Sequence, residues 1–225
     1  MNARTAGSLL IAAASLFWFA WLLMPGVGVT DAGEIFALVG SQRGLVLASV
    51  LVQLGSAVLY VPALISLVSE HQLAALRGVK IAATLLAIGA LGSAADAVLH
   101  LLAYAMTARG IDTRAMTPVM KFMQGPGLWL LAPLLIGFFA GGPWLSVALS
   151  RAGIASQRSL TLHWTSLVVL VIGGPLAAQG FVPARLAGWL FLGCVSAAQA
   201  WVGAELYRSD AGARAHRLRG ERALS

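Results

Sequence analysis

The sequence predicts an all-α, polytopic membrane protein built as a single bundle of six transmembrane helices. Three observations carry that prediction. Apolar residues make up 59% of the 225-residue chain and charged residues only 10%, against about 45–50% and 25% in soluble domains. Mean hydropathy is +0.85. The apolar residues also gather into six runs, each reaching the roughly 20 residues a helix needs to cross a bilayer core about 30 Å thick. So few charges cannot clothe a surface in water. This composition excludes a disordered chain, a direct nucleic-acid binder and an ordinary soluble enzyme.

The runs cover residues 7–29, 45–69, 81–106, 126–150, 160–181 and 186–207. They make one transmembrane domain over 1–207, followed by a basic tail over 208–225. The first run is too long for the apolar region of a secretory signal and reads as a retained span. Between the first two spans, residues 30–44 (TDAGEIFALVGSQRG) mix turn-formers and apolar residues, and Asp31 is placed to cap a short helix with Glu34 three residues on. Residues 107–125 read as the longest connection, closed by the breaker Gly125-Pro126-Gly127. Gly-Gly-Pro occurs inside two later runs, at 141–143 and 173–175. Such triplets bend packed helices, or they free backbone carbonyls as in the discontinuous helices of transporters. The one cysteine, Cys194, excludes an internal disulfide and any Cys-rich metal site.

Charge sets the orientation. Lys and Arg number 15 against 8 Asp and Glu, a net charge of +7. Sorted onto alternate sides of six spans, one side receives Arg4, Arg77, Lys80, Arg151, Arg158, Arg208, Arg214, Arg217, Arg219 and Arg222. The other receives Arg43, Arg109, Arg114, Lys121 and Arg185. Cytoplasmic loops accumulate basic residues, so both termini are expected in the cytoplasm. His163, Trp164, Trp144, Trp201 and Tyr207 fall near that inner boundary and suit interfacial anchoring, while Trp18 and Trp21 lie deeper and suit packing.

Polar groups inside the spans are the next signal, because an ionisable side chain mid-bilayer costs roughly 2.5–3.5 kcal/mol on insertion scales. The third span carries Asp96 and His100 four residues apart, with Tyr104 a further turn on and Gly89, Gly92 and Ser93 before them. At 3.6 residues per turn these share one face. An acid and an imidazole one turn apart can share a proton. The second span offers Ser49, Gln53, Ser56 and Tyr60 on one stripe. It runs opposite to the third span, so Gln53 and Asp96 are expected at similar depth, facing each other or a shared cavity. Gln199 of the sixth span is the next residue expected at that level. The set Asp96, His100, Gln53 and Tyr104 reads either as a clasp fixing helix packing or as a ligand or proton site of a small-solute or proton-coupled carrier.

Other chemistries find no support in the pattern. A membrane haem needs two axial ligands on one iron, and His100 and His163 are expected roughly 20 Å apart in depth. Lys80 and Lys121 sit at span ends, which excludes a mid-membrane Schiff base. No nucleophile–base order and no carboxylate–His spacing marks a catalytic or metal site, so the chain reads as a non-enzyme without cofactor.

The tail, RSDAGARAHRLRGERALS, holds Arg208, Arg214, Arg217, Arg219 and Arg222 against Asp210 and Glu221. It suits anionic lipid, or planar contacts to the carboxylates of an acidic cytoplasmic protein. With its short MNARTAG start, six spans, basic tail and Arg-rich, Lys-poor usage, the chain resembles the integral-membrane anti-sigma factors of light-induced carotenogenesis, the CarR type. The resemblance implies a bacterial inner-membrane negative regulator that sequesters a cytoplasmic sigma factor, with the lipid bilayer as its other partner. With a single cysteine the zinc-type anti-sigma pattern is absent, so sequestration would fall to the inner loops and the tail.

Overall fold

The structure, a computed structural model, describes residues 3–223, and for residues 71–72 and 210–223 it describes the backbone alone. Six helices are long and apolar enough to cross a membrane, and the chain is a multi-pass membrane protein. The first three spans are α1 (Ala3–Leu23), α3 (Arg43–Ser69) and α5 (Arg77–Met106). Between them lie a surface helix, α2 (Ala32–Ser41), and a single turn, α4 (His71–Ala74). The fourth span joins α6 (Thr113–Phe122) through a π-helical turn, Met123–Gly127, to α7 (Leu128–Arg151). The fifth joins α8 (Gln157–Val168) through a second π-turn, Val169–Gly173, to α9 (Gly174–Ala178), and α10 (Ala184–Ala223) is the sixth.

Local chemistry explains most of these boundaries. Asp31 caps α2 as its position predicts, its Oδ1 accepting the Glu34 N–H at 2.9 Å. The connection expected over 107–125 is instead largely helical. Asp112 starts α6 by accepting the Arg114 N–H at 2.9 Å, and the helix then runs on through Gly125-Pro126-Gly127. Inside a regular α-helix the proline ring collides with the carbonyl four residues back. The wider π-turn relieves that collision, so the breaker becomes a bulge. Both Gly-Gly-Pro triplets also stay helical: Pro143 lies inside α7, and Pro175 stands in the first turn of α9, where no N–H partner is needed.

The spans close into a ring in the order α7, α5, α3, α1, α10, α8. Phe17 of α1, Tyr60 of α3 and Phe138 of α7 meet at its centre, Phe138 lying 4.7 Å from Phe17 and 5.4 Å from Tyr60 between ring centroids. Lipid tails are as apolar as leucine, so close backbone approach has to hold such helices together. Glycine supplies it at two seams. In the α5–α7 seam a Cβ on Gly89 would collide with the Phe138 backbone, and one on Gly141 would stand 2.8 Å from the Leu86 nitrogen. In the α1–α10 seam Gly7 and Gly203 face each other, and a Cβ on Gly203 would stand 2.7 Å from the Gly7 carbonyl oxygen. At the end of the bundle opposite Arg4 and Tyr207, α2 and α6 cover the spans through a second small core that includes Ile35, Phe36, Met106 and Met120.

Gly89→Ala therefore forces the α5–α7 seam apart and is expected to cost about 1–3 kcal/mol. Gly40→Ala, on α2 with no atom within 4 Å of the added carbon, serves as the matched control and lowers stability not at all. Thermal unfolding of both variants in detergent checks the contrast.

Candidate functional site

The α3 stripe predicted from spacing is buried along its whole length, Ser49, Gln53, Ser56 and Tyr60 each being 1% exposed or less. Every member bonds to another span. Ser49 donates to the Ala20 carbonyl and Ser56 to the Ala13 carbonyl, both at 2.8 Å. Gln53 Nε2 donates to Asp96 Oδ2 at 2.9 Å and to the Ser93 carbonyl at 3.2 Å. Tyr60 donates its hydroxyl hydrogen to Gln199 Oε1.

Gln53 and Asp96 thus face each other as their depths predict. His100 completes the group, its Nδ1 3.7 Å from Asp96 Oδ2, which is an ion-pair distance and too long for a hydrogen bond. Gln53 supplies the amide hydrogen that a carboxylate in lipid needs, and it leaves His100 Nδ1 without a protein partner. The glycines of the same broad α5 face do another job, seating α7, while Ser93 and Asp96 meet α3.

Asp96 and His100 open into a cavity of about 510 Å³ beneath α2 and α6, within the roughly 300–1,000 Å³ of small-molecule sites. Its walls are mainly apolar and include Met24, Val27, Leu99 and Met120, with Lys121 also lining it. Trp21 lines it too, edge-on to His100 with ring centroids 5.6 Å apart. The Trp21 indole Nε1 has no protein partner.

Tyr104 does not join this group. Arg43 packs its guanidinium 3.8 Å from the Tyr104 ring centroid and donates to the Tyr104 carbonyl at 2.8 Å, capping the end of α5. A cation at a helix C-terminus outbids a carboxylate two turns away. Gln199 also departs from expectation, lying with Tyr60 and not with Asp96, because α10 meets the α3 stripe nearer the Arg4–Tyr207 end.

His163 is the larger correction. Expected at the interface, it is 2% exposed. Its Nδ1 lies 3.0 Å from the Ser159 carbonyl and 3.3 Å from Ser146 Oγ. A carbonyl only accepts, so Nδ1 carries the hydrogen, and Nε2 is buried without a protein partner. The missing side chain of Gly142 makes room for it, since a Cβ there would stand 2.7 Å from His163 Nε2 and 3.1 Å from Gln199 Nε2. A second polar cluster of Tyr60, Gln199, His163 and Ser146 results. Its signal was present in the sequence as two polar faces at helical spacing, Ser159, His163 and Ser166 on α8 and Gly142 and Ser146 on α7. Trp164 and Trp144, by contrast, are 61% and 50% exposed, as boundary residues should be.

Of the tail arginines, Arg208 is exposed near the end of the span, and the side chains of Arg214, Arg217, Arg219 and Arg222 lie outside the described residues. Among the described residues no three His, Cys, Asp or Glu side chains gather as a metal cage. Two levels of buried polar side chains inside six apolar spans define the class: a multi-pass membrane protein with polar clusters within its bundle. The chain matches no protein-family model, and no curated protein or solved structure matches it.

Tyr60→Phe removes the α3–α10 bond without changing ring packing. It is expected to lower stability by about 0.6 kcal/mol, and by no more than about 2 kcal/mol, read from denaturant unfolding in detergent.

Proposed function

We propose that this protein is a proton-coupled carrier of a small amphipathic solute, with Asp96 and His100 as its proton and solute site. One observation carries the reading: the Gln53–Asp96–His100 group forms part of a solute-sized cavity inside a membrane bundle. Burying an acid in a span is costly, and such residues mark ion and substrate paths. Apolar walls suit the body of the solute. The Asp96 carboxylate and the His100 imidazole suit a head that both donates and accepts hydrogen bonds. A proton taken up by the Asp96–His100 pair from one aqueous side and given up to the other couples solute movement to the pH gradient. The Tyr60–Gln199–His163 cluster gives a second polar station nearer the Arg4–Tyr207 end, and the excess of Lys and Arg at that end supports reading it as the cytoplasmic side.

A second reading draws on α10, which continues as helix beyond its span to Ala223. A basic helical arm of that length supports tethering of an acidic cytoplasmic protein, such as the sigma factor that the CarR-type resemblance implies. Its test is retention of such a partner by membranes holding the whole chain or a chain ending at Ser209. Equal retention removes the tail from the reading.

The carrier reading is tested in proteoliposomes loaded with a pH-sensitive dye. A panel of small amphipathic amines and acids is applied across a pH gradient. Wild-type protein is expected to show solute-dependent proton flux, and Asp96→Asn is expected to lower it by about tenfold or more, roughly 1.4 kcal/mol, with folding intact. Flux through Asp96→Asn equal to wild type, or no solute-dependent flux in wild type, overturns it.

A further inference from the structure

At the opposite end of the bundle from the Asp96 cavity, a groove of about 550 Å³ runs between the start of α5, the end of α7 and the start of α8. Its apolar wall includes Ala140, Val147 and Leu167. Its polar lining is one-sided. Arg77 and Arg151 both line it, and no Asp or Glu does. Among the described residues the only ion pair is Asp96 with His100, so neither arginine is paired with an acid among them. Trp144 lines the same groove, its indole Nε1 standing 3.9 Å from the point a Gly78 Cβ would occupy. Gly78 lies in the first turn of α5, whose N-terminus has no side-chain cap. The first turn of α5, the Trp144 indole and the side chains of Arg77 and Arg151 therefore all border one apolar slot.

We propose that this groove binds one anionic phospholipid. Its phosphate accepts hydrogen bonds from Arg77, Arg151 and the Trp144 indole, and an acyl chain lies along the apolar wall. Charge complementarity selects the occupant. A zwitterionic lipid would bring its ammonium group towards two unpaired guanidinium groups, and an acidic peptide would set a polar backbone against Ala140 and Val147. Basic pockets between spans on the cytoplasmic side are suited to anionic head groups, and guanidinium binds phosphate with paired donors. Trp164 and Trp144, exposed beside the groove, hold it at head-group level. The inference does not depend on the carrier reading, because it uses none of the residues of the Asp96 site.

The test uses the full chain purified in mild detergent, offered equal amounts of phosphatidylglycerol and phosphatidylcholine, with retained lipid counted by native mass spectrometry. Wild type is expected to keep one phosphatidylglycerol in preference to phosphatidylcholine. The double variant Arg77→Gln with Arg151→Gln is expected to lower that preference about 30-fold, the contribution of two basic residues near a lipid surface. Trp144→Phe keeps the ring, loses the donor and is expected to weaken retention by a smaller factor. Arg158→Gln serves as the control, since Arg158 lies outside the groove with its guanidinium 5.6 Å from the Trp201 ring centroid. The proposal fails on any of three results: equal retention of the two lipids by wild type, an unchanged preference in the double variant, or the same loss in Arg158→Gln. It also fails if millimolar inorganic phosphate displaces the lipid, because the site would then be one for free phosphate.

Discussion

The polar stripe on α3 is the interaction on which the rest of the bundle depends. In water the spans would be driven together by their apolar surface, but in lipid that drive is absent, and association falls to packing and to interhelical hydrogen bonds. Ser49 and Ser56 bind α1, Gln53 binds α5 and Tyr60 binds α10. One helix face thus specifies three neighbours. Each bond contributes only about 0.6 kcal/mol, so the stripe acts through specificity: a sliding or rotated α3 would leave four polar groups in hydrocarbon at once. The glycine seams at α5–α7 and α1–α10 add close backbone approach, and the α1–α10 seam carries polar bonds of its own, Trp189 Nε1 donating to the Trp21 carbonyl at 3.0 Å and Arg4 to the Tyr207 hydroxyl.

The stripe also fixes the depth of the chemistry. Gln53 and Tyr60 are seven residues apart on one face, which places their partners about 10 Å apart along the bundle. Asp96 falls at the upper level, within reach of the cavity under α2 and α6. Gln199 falls at the lower level, beside His163. The central aromatic cluster of Phe17, Tyr60 and Phe138 fills the axis of the bundle, so solute passing between the levels has to displace or skirt those rings.

Much of this was legible in the residues alone. Apolar run length gave six spans because the bilayer sets a minimum helix length. Opposite running directions gave Gln53 against Asp96 because neighbouring spans joined by a short connection are antiparallel. What was not legible depended on which non-sequential spans touch. Run lengths do not encode the contact of α10 with α1 and α8, so Gln199 was assigned to the wrong level and His163 to the interface. Tyr104 was misplaced for a different reason. Helical spacing puts it on the Asp96 face, yet the free carbonyls at the end of α5 bind Arg43 from the next helix, and the phenol ring follows the cation. The Gly125-Pro126-Gly127 breaker misled because a proline removes one backbone bond without ending a helix, as Pro62 in α3 and Pro133 and Pro143 in α7 also show.

His163 connects the inner cluster to the groove of Arg77 and Arg151. On a helix, adjacent residues point about 100° apart, so turning His163 inward to Ser146 and Gly142 turns Trp164 outward. Trp144 lies two residues beyond Gly142 on α7, on the side away from His163, and it too looks out. The two indoles frame a groove that the close packing of α8 on α10 leaves open towards α5. The same imidazole thus belongs to the polar station inside the bundle and lines the cationic slot at its edge.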